Sequence, residues 1–247
     1  MKEEIKVSII IATWNAAALL PECLAGIAAL QLPGLEIVVV DGGSKDHTVA
    51  ILEAFKAAPL RWVSEQDRGI YDALNKGVRM ARGKWVYFMG ADDRLLPGFR
   101  TLYGQLQDER TVYYGNTVPI YGKAKPSYDL IVGKFTPWRL AKYCMNHQQI
   151  IYPAAVFKQY QYDLRYKVYA DYALNLRVWG DKTFQKKHFV IDIAGYFMSG
   201  FSASNDDTLF KKDKPRLIRE SMGYWMYLRF LYKRFKKQRL QGQPDYY

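Results

Sequence analysis

Residues 35–43, LEIVVVDGG, contain the apolar run that decides the fold of this chain. A run of mostly β-branched residues without polar alternation is typical of a strand that is buried on both faces. A second such run, KVSIIIAT, lies at residues 6–13, and a helical stretch from about Leu20 to Leu30 separates the two. Strand, helix and strand in this order predict the parallel unit from which α/β sheets are built.

The same alternation continues toward the middle of the chain. The later elements are a helix capped by Ser44 and ending near Lys56, the strand LRWVS at residues 60–64, a helix from Ile70 to Arg82, and the strand KWVYFM at residues 84–89. This order predicts an α/β fold with a Rossmann-like, mostly parallel central sheet that is flanked by helices and joined by right-handed crossovers.

The length of 247 residues suits one α/β domain with a sizeable core. We expect this domain to cover residues 1–205, with a first half at 1–112 and a second half at 113–205. A basic helical tail is expected at residues 206–247, and its last residues, GQPDYY, are expected to be disordered.

The composition favours a reducing compartment and no membrane span. Cys23 and Cys144 show neither a metal-type spacing nor a disulfide framework. The first residues read as a strand rather than as a signal peptide, and no uncharged apolar stretch reaches the roughly 18 residues of a membrane span. We therefore expect a cytoplasmic protein.

The formal net charge of +12 is concentrated near the C-terminus. Residues 211–240 carry eleven Lys or Arg residues and only two acids. Apolar residues recur there at helical spacing, with basic residues on the other side: Trp225, Leu228, Tyr232 and Phe235 against Arg229, Lys233, Lys236 and Lys237. A basic amphipathic helix of this kind binds anionic membrane surfaces. A helix that packs on its own domain and exposes a solvated basic face is equally compatible with the pattern.

Polar side chains follow the predicted strands at the points where the strands end. They are Thr13, Trp14 and Asn15 after the first strand, Asp41 after the second, Glu65 to Arg68 after the third, and Asp92 and Asp93 after the fourth. Because ligands of open α/β sheets bind beyond the carboxyl ends of the strands, we expect one ligand site there. Carboxylates at this edge would oppose a phosphate backbone, so we expect no nucleic acid partner.

Asp92 and Asp93 are the candidate metal ligands. Two adjacent carboxylates after a buried strand repel each other unless a cation shares the site. Mg²⁺ or Mn²⁺ prefers oxygen ligands and commonly bridges diphosphate oxygens. The alternative is that Asp93 caps the turn that follows it.

Asp41 and Arg68 are candidate ligand contacts at the same edge. Asp41 can accept hydrogen bonds from a base or a ribose, although an aspartate before two glycines is also a common turn residue. Arg68 is a permanent cation ahead of a helix N-terminus, a position that favours anions, so it can contact a phosphate or a base. A solvated surface arginine is the alternative for Arg68.

Four segments of the N-terminal half, in this order and spacing, resemble family 2 glycosyltransferases of the GT-A fold. They are VSIIIATWN at 7–15, EIVVVDGGSKDHT at 36–48, EQDRGIYDALNKG at 65–77 and GKWVYFMGADDRLLPG at 83–98. The resemblance implies that residues 1–112 bind a nucleotide-sugar and that residues 113–205 face the acceptor. It implies nucleotide contacts for Thr13, Trp14, Asn15, Asp41, Arg68 and Asp92, and metal ligation by Asp92 with Asp93 beside it. The family's DxD motif lacks its first aspartate here, where Gly90 stands.

Two later segments resemble bacterial enzymes of the same family that build surface polysaccharides such as O-antigen and colanic acid. NHQQIIYPAAVF at 146–157 resembles their HQ segment, which implies that His147 and Gln148 lie on the acceptor or diphosphate side. YADYALNLRVW at 169–179 resembles the segment that carries their candidate general base, which implies that Asp171 deprotonates the acceptor. An N-cap role for Asp171 in the following helix is the alternative.

The resemblance implies transfer of a hexosyl or N-acetylhexosaminyl group from a nucleotide-sugar, with a UDP-sugar favoured and with Mn²⁺ or Mg²⁺ as cofactor. Direct displacement by an acceptor hydroxyl would invert the anomeric centre. The implied acceptor is a glycan or a polyprenyl-diphosphate-linked sugar, which would place the protein peripherally on the inner face of the plasma membrane. The competing hypotheses are a catalytically inactive relative and a basic protein that binds membrane or nucleic acid.

Overall fold

The computed structural model describes residues 4–120, 133–197 and 206–241. Its first half alternates strictly between strands and helices, which confirms the predicted α/β order. The elements are β1 Val7–Thr13, α1 Leu20–Ala28, β2 Leu35–Asp41, α2 Thr48–Ala54, β3 Leu60–Ser64, α3 Ile70–Met80 and β4 Trp85–Gly90.

Over the described residues, the second half adds four strands, six α-helices and one 3₁₀ helix to the same domain. The elements are β5 Arg94–Leu95, α4 Pro97–Gly104, β6 Thr111–Ile120, α5 Pro137–Lys142, a short 3₁₀ helix His147–Gln149, β7 Ile150–Pro153, α6 Val156–Gln159, α7 Ala170–Gly180, β8 Gln185–Phe197, α8 Thr208–Met222 and α9 Tyr224–Gln241.

All eight strands of the described ranges belong to one sheet, in the order β3-β2-β1-β4-β7-β6-β8-β5. The pairs β1–β2, β2–β3, β1–β4 and β6–β8 are parallel, and β4–β7, β6–β7 and β5–β8 are antiparallel. The sheet is therefore mostly parallel, as predicted, and the antiparallel β7 joins its two parallel parts.

Two hydrophobic layers cover the two faces of the sheet. Ile10 of β1 faces the layer that contains residues of α3, α7, α8 and α9, whereas Ile9 and Ile11 face the layer that contains residues of α1, α2 and α4. Since both faces are covered, each inner strand needs apolar residues at every position. This burial explains why the strands appear in the sequence as continuous apolar runs.

Ser44 does not cap a helix, contrary to the prediction. Helix α2 begins at Thr48, and the residue before it is His47, whose side chain makes no capping hydrogen bond. The Ser44 hydroxyl instead donates to the carboxylate of Asp41. An N-cap serine uses its hydroxyl oxygen as an acceptor, and in Ser44 this oxygen accepts from the backbone N–H of Asn15 (2.7 Å) rather than from a helix that begins four residues later.

The basic C-terminal segment is helical, and its first helix packs into the core. Phe210, Leu217 and Ile218 of α8 are buried in the layer that they share with α7. Helix α9 adds the buried Phe230 to the same layer. The predicted domain boundary at residue 205 and the predicted disorder of residues 242–247 both fall on residues outside the described ranges.

In the part of the chain that the structure describes, no helix combines the length and the apolar character required to cross a membrane.

Candidate active site

The carboxyl ends of four strands meet at one edge of the sheet, which we call the polar rim. Thr13 at the end of β1 is in register with Asp41 of β2, and Asp41 is in register with Ser64 of β3. On the other side of β1, Ala12 is in register with Gly90 at the end of β4. The polar residues that follow these strands in the sequence therefore lie along a single edge.

Asp41 is fully buried and organises the polar rim. Its Oδ2 accepts hydrogen bonds from the backbone N–H groups of Gly43 (3.1 Å) and Ser44 (2.9 Å) and from the Ser64 hydroxyl (2.6 Å). Its Oδ1 accepts from the hydroxyls of Thr13 (3.3 Å) and Ser44. Burial raises the pKa of Asp41, but these hydrogen bonds outweigh it and hold the pKa below its ordinary value. The predicted contact of Asp41 with a base or ribose would compete with this network.

Asn15 joins the loops that follow β1 and β2. Its Oδ1 accepts a hydrogen bond from the backbone of Lys45 (2.9 Å), and its own backbone N–H donates to the Ser44 hydroxyl (2.7 Å). The backbone of Asn15 is in the left-handed region, with φ of 49°, which asparagine tolerates better than most residues. The loop conformation leaves the preceding Trp14 exposed over 69% of its surface.

Gly42 lies beside both Trp14 and Asp67. A Cβ atom on Gly42 would stand 3.5 Å from Trp14 Cδ1 and 2.8 Å from Asp67 Oδ2. The lack of a side chain at Gly42 therefore lets the Asp67 carboxylate approach the backbone near the exposed indole ring. An aromatic face of this kind can stack with a planar ring, and the carboxylate can accept hydrogen bonds from its edge.

Arg68 is held at its backbone and exposed at its side chain. Its backbone N–H donates to Asp72 Oδ2 (3.1 Å), and its guanidinium forms a longer contact of 3.5 Å with the same carboxylate. The Arg68 side chain remains 75% exposed, while Asp72 is buried in the first turn of α3. Asp72 thereby fixes the loop and leaves the guanidinium accessible to an anion.

Asp92 and Asp93 have different environments, although they are adjacent in the chain. Asp93 is 1% exposed, and it accepts hydrogen bonds from Gly90 N (2.7 Å), Gln148 Nε2 (2.9 Å) and Phe197 N (3.4 Å). Burial, together with the charge of Asp92, raises the pKa of Asp93 to about 6. Asp92 is partly exposed, and its carboxylate makes no hydrogen bond or ion pair with the described residues. Of the two aspartates, only Asp92 offers its carboxylate to a ligand.

Asp93 also does not cap the turn that follows it, which was the alternative assignment. The chain continues from Asp93 into the short strand β5, and the next helix, α4, is preceded by Leu96. The Asp93 carboxylate instead connects the end of β4 with the 3₁₀ helix and the end of β8.

His147 and Gln148 lie in the 3₁₀ helix beside β4. The Gln148 side chain is 7% exposed, and its amide is used by Asp93. The His147 ring packs at 6.1 Å from the ring of Phe88, and its buried Nδ1 has no hydrogen-bond partner among the described residues. Burial lowers the pKa of His147 to about 4, so the imidazole is neutral at physiological pH. The predicted acceptor or diphosphate contacts of these two residues remain predictions.

Asp171 lies in the first turn of α7, one residue inside the helix. The helix begins at Ala170 and the capping position belongs to Tyr169, so Asp171 is not its N-cap. Its Oδ1 accepts hydrogen bonds from the backbone N–H of Tyr172 (2.8 Å) and from the Tyr71 hydroxyl (3.1 Å). Burial raises the pKa of Asp171 to about 6 despite these bonds. A carboxyl group with this pKa is suited to proton transfer near neutral pH.

The described residues contain no group of three or more His, Cys, Asp or Glu side chains that could hold a metal ion on its own. Asp92 is the one carboxylate at the end of β4 with unused oxygen atoms. Mg²⁺ and Mn²⁺ are often bound by one or two carboxylates together with substrate phosphates and water. The residues at the rim therefore fit a metal ion that is shared with a bound diphosphate, and they do not form a complete protein site.

Several rim residues are not among the sequence predictions. Ser64 and the buried Asp72 are partners of Asp41 and Arg68, and Tyr71 contacts Asp171 across about one hundred residues of chain. The segment QDRGIYDAL carries two of them and contains more polar residues than a short loop and a helix start require. This high density of polar residues is the signal in the sequence that points to a functional loop. The partners of these residues are visible only in three dimensions.

Residues 8–210 match the family described as Glycosyl transferase family 2. A PGL/p-HBAD biosynthesis glycosyltransferase of Mycobacterium tuberculosis is 34% identical over 233 residues, which cover 86% of this chain and 85% of that relative. A Mycobacterium bovis protein of the same description shows the same identity and coverage.

Solved structures share the fold at low sequence identity. S. aureus TarS 1-349 in complex with UDP-GlcNAc superposes with a TM-score of 0.70 and 18% identity, over 97% of this chain and 76% of that one. A longer TarS chain is covered to 46% of its length. The mannosyltransferase PcManGT from Pyrobaculum calidifontis, in complex with GDP-Man and Mn²⁺, gives a TM-score of 0.61 at 14% identity, over 98% of this chain and 82% of that one.

The mostly parallel sheet, the polar rim and these likenesses together define a glycosyltransferase of the GT-A fold. The chain belongs to glycosyl transferase family 2, and its class of activity is glycosyl transfer from a nucleotide-sugar.

Proposed function

We propose that this glycosyltransferase moves a sugar from a UDP-linked donor to a hydroxyl group of a glycan or polyprenyl-diphosphate-linked acceptor, with inversion at the anomeric carbon. The observation that carries the proposal is the set of side chains that the rim leaves available. Trp14, Arg68 and Asp92 are accessible, whereas Asp41 and Asp93 are buried and satisfied by the protein. An aromatic face, a cation and a carboxylate match a base, a diphosphate and a metal ion.

The donor would lie across the polar rim with its base near Trp14 and its diphosphate near Arg68 and Asp92. The exposed indole ring of Trp14, which lies beside Gly42, can stack with a base and supports base binding there. Thr13, Asn15 and Asp41 would hold the loops in the shape that the base requires. A UDP-sugar is favoured because the S. aureus TarS structure contains UDP-GlcNAc, while the GDP-Man of PcManGT is the alternative nucleotide.

Asp92 would hold Mn²⁺ or Mg²⁺ together with the diphosphate oxygens. When bound, the ion neutralises the negative charge that the leaving diphosphate gains. The exposed guanidinium of Arg68 adds a second positive charge from the loop before α3. The Mn²⁺ in the PcManGT complex supports this assignment. Asp93 would act indirectly, since it holds the end of β4 in place under Asp92.

Asp171 would act as the general base. The acceptor oxygen forms a bond to the anomeric carbon while the bond from that carbon to the diphosphate oxygen breaks, and the proton of the acceptor hydroxyl passes to the Asp171 carboxylate. The hydrogen bonds from Tyr172 and Tyr71 both go to Oδ1, so among the described residues Oδ2 is the oxygen open to an acceptor. A single displacement of this kind inverts the anomeric centre.

The resemblance to surface-polysaccharide enzymes supports a glycan acceptor, and the mycobacterial relative is described as a glycosyltransferase of PGL/p-HBAD biosynthesis. A polyprenyl-diphosphate-linked acceptor would bring the enzyme to the inner face of the plasma membrane.

The donor proposal is tested by calorimetric titration of the protein with UDP, GDP and TDP, first with Mn²⁺ and then with EDTA. We expect one nucleoside diphosphate to bind in Mn²⁺, and we expect its affinity to fall at least about tenfold in EDTA and in Asp92→Asn. Mn²⁺ without nucleotide should give no binding, because the rim residues form only part of a metal site. Glu53→Gln is the matched control, since Glu53 is an exposed carboxylate near the far end of α2. Equal losses in both variants, or tight metal binding without nucleotide, would contradict the proposal.

Membrane contact would be made by α9 rather than by the whole basic segment. Three cations of α8 are already engaged, since Lys211 pairs with Asp206, Arg216 pairs with Asp213 and Glu220, and Lys214 is buried. Helix α9 contains no acid and exposes Trp225 (82%), Tyr232 (69%) and Phe235 (57%). Exposed aromatic rings on a helix rich in cations suit the interface of an anionic leaflet.

Co-sedimentation with vesicles tests this contact. The wild-type protein is expected to bind vesicles with a large anionic fraction and to bind neutral vesicles weakly, with affinity that falls as salt is added. Trp225→Ser combined with Tyr232→Ser should weaken anionic binding by about tenfold or more. Val190→Ser is the matched control, because Val190 of β8 is 85% exposed but lies outside α9. Unchanged vesicle binding in the double variant would overturn the assignment.

A further inference from the structure

Tyr71 connects the donor loop to the candidate general base. It lies in the first turn of α3, three residues after Arg68 and directly before Asp72, which fixes the Arg68 loop. Its side chain is 8% exposed and crosses to α7, where the hydroxyl lies 2.5 Å from the Val168 carbonyl oxygen and 3.1 Å from Asp171 Oδ1. One helical turn therefore contacts both the phosphate-binding loop and the carboxylate that receives the acceptor's proton.

The Tyr71 hydroxyl has one proton and two neighbouring acceptors. The Val168 carbonyl can only accept, so the short contact of 2.5 Å uses the tyrosine proton when it is formed. A hydrogen bond to an ionised carboxylate is about twice as strong as one to a neutral carbonyl. An ionised Asp171 therefore attracts the proton more strongly than Val168 does, and a protonated Asp171 attracts it less.

We propose that Tyr71 is a positioning residue for Asp171, and that its hydroxyl proton turns from the Val168 carbonyl to Asp171 Oδ1 whenever that carboxylate is ionised. This inference rests on the proposed role of Asp171 as general base. Tyr71 touches neither the donor nor the acceptor in it. It stabilises the ionised base before the reaction, and it returns its proton to Val168 once Asp171 has received the proton of the acceptor. No proton is gained or lost by Tyr71 in the cycle.

The other titratable groups around Asp171 do not ionise in the same range. They are Cys144 in the loop after α5, Tyr152 on β7 and Tyr162 in the loop before α7, and burial raises the pKa of each well above its ordinary value. Lys214 of α8 is the nearby cation, and it lies over the ring of Tyr172. His147 is neutral because burial lowers its pKa to about 4. Asp93, whose pKa burial also raises to about 6, keeps its surroundings in the Tyr71 and Tyr162 variants, so a difference between their acidic limbs reports Asp171.

Tyr71→Phe removes the hydroxyl and keeps the ring, which packs at 5.3 Å from the ring of Tyr162. We expect the acidic limb of the kcat/KM profile to move to higher pH by about one unit, because the ionised base loses a donor. We expect kcat to fall by about fivefold at the pH where the wild type is half active, while the KM for the donor stays within about twofold. A merely structural role would change stability or donor KM and would leave the position of the limb unchanged.

Tyr162→Phe is the matched control from the same cluster. The Tyr162 hydroxyl is buried and has no hydrogen-bond partner among the described residues, so its removal should not move the limb. A second probe is 3-fluorotyrosine at position 71, whose hydroxyl is a stronger donor and fits the same space. It should move the limb to lower pH, and it keeps the inference testable if Tyr71→Phe does not fold.

The outcomes separate this inference from the proposed function. The inference is supported if the acidic limb of the kcat/KM profile shifts in Tyr71→Phe and does not shift in Tyr162→Phe. A limb that moves in neither variant, or equally in both, overturns it while Asp171→Asn is inactive. Wild-type kcat in Asp171→Asn would overturn the general-base role itself, and the role of Tyr71 with it.

Discussion

The side-chain amide of Gln148 donates a 2.9 Å hydrogen bond to Oδ2 of Asp93, and both residues are buried although 55 positions separate them in the chain. This bond connects the 3₁₀ helix of the second half to the end of β4. The bond gives the two aspartates different roles, because the carboxylate of Asp93 is bound by the protein and the carboxylate of Asp92 is left for a ligand.

Gln148→Leu tests whether Asp93 has a structural role and Asp92 a ligand-binding role. The change removes the donor and leaves a buried carboxylate with fewer hydrogen bonds, so the free energy of unfolding should fall by about 1–3 kcal/mol in urea denaturation. Asp92→Asn should leave the unfolding free energy within about 0.5 kcal/mol while it weakens donor binding. An equal free energy of unfolding in Gln148→Leu and the wild type would show that this hydrogen bond does not stabilise the folded protein.

Gly90 occupies the position of the missing aspartate of the DxD motif, and restoring that aspartate should impair the site. A Cβ atom at Gly90 would lie 2.4 Å from Asp92 Oδ1 and 3.3 Å from Asp93 Oδ2. Gly90→Ala should therefore displace the Asp92 carboxylate and weaken metal-dependent nucleotide binding by about tenfold, and Gly90→Asp should weaken it further by charge repulsion. Calorimetry with Mn²⁺ measures both variants. Gly104→Ala is the control, since nothing lies within 4 Å of its Cβ, and tighter binding by Gly90→Asp would refute the argument.

Activity and stability should respond to pH in opposite directions. Asp171 must be ionised to act as base, so kcat/KM should rise with pH and level off above about pH 6. A carboxyl group whose pKa is raised by folding stabilises the native state at low pH, and that contribution is lost as the pH rises through the folded value. The melting temperature of the wild type should therefore fall between about pH 4 and pH 6, from the ordinary carboxyl pKa to the raised folded value.

Asp171→Asn is the variant that checks this relation. Its kcat should drop by about 10²–10⁴-fold, the range expected for loss of a general base. Its melting temperature should fall less than that of the wild type over the same pH interval, with Asp93 still contributing, because the pKa of Asp93 is also raised to about 6. A melting temperature that falls equally in both proteins would rule out a raised pKa at Asp171.

Gly180 tests the close approach of the C-terminal helices to the domain. A Cβ atom there would lie 1.9 Å from the backbone oxygen of Ser221, so Gly180→Ala must separate α7 from α8 and should cost about 1–3 kcal/mol of unfolding free energy. Gly26→Ala in the exposed face of α1 meets nothing within 4 Å and should stabilise the protein by about 0.5–1 kcal/mol. A neutral Gly180→Ala would show that α8 is not packed as closely as the structure has it.

Much of the fold could be predicted from local pattern. The runs that became β1 and β2 are mostly apolar and lack polar alternation because helices cover both faces of the sheet, so their burial could be predicted from the sequence. Ser44 shows where this reasoning fails. A serine before a helical stretch is normally a cap, but the Ser44 hydroxyl accepts from the backbone N–H of Asn15 and donates to the buried Asp41 instead. Competition of this kind depends on burial, which single positions do not reveal.

The sequence by itself determined the alternation of strands and helices, and with it the edge of the sheet where the polar residues would collect. Local pattern could not distinguish Asp92 from Asp93, since adjacent carboxylates share it, and only the resemblance to the family favoured Asp92 as the ligand. Only the tertiary structure assigned Asp93 to Gln148 and brought Tyr71 to Asp171, because these pairs join distant parts of the chain. The physical reason is that periodicity and turn chemistry act over a few residues, whereas burial, hydrogen-bond partners and pKa values depend on which surfaces meet after folding.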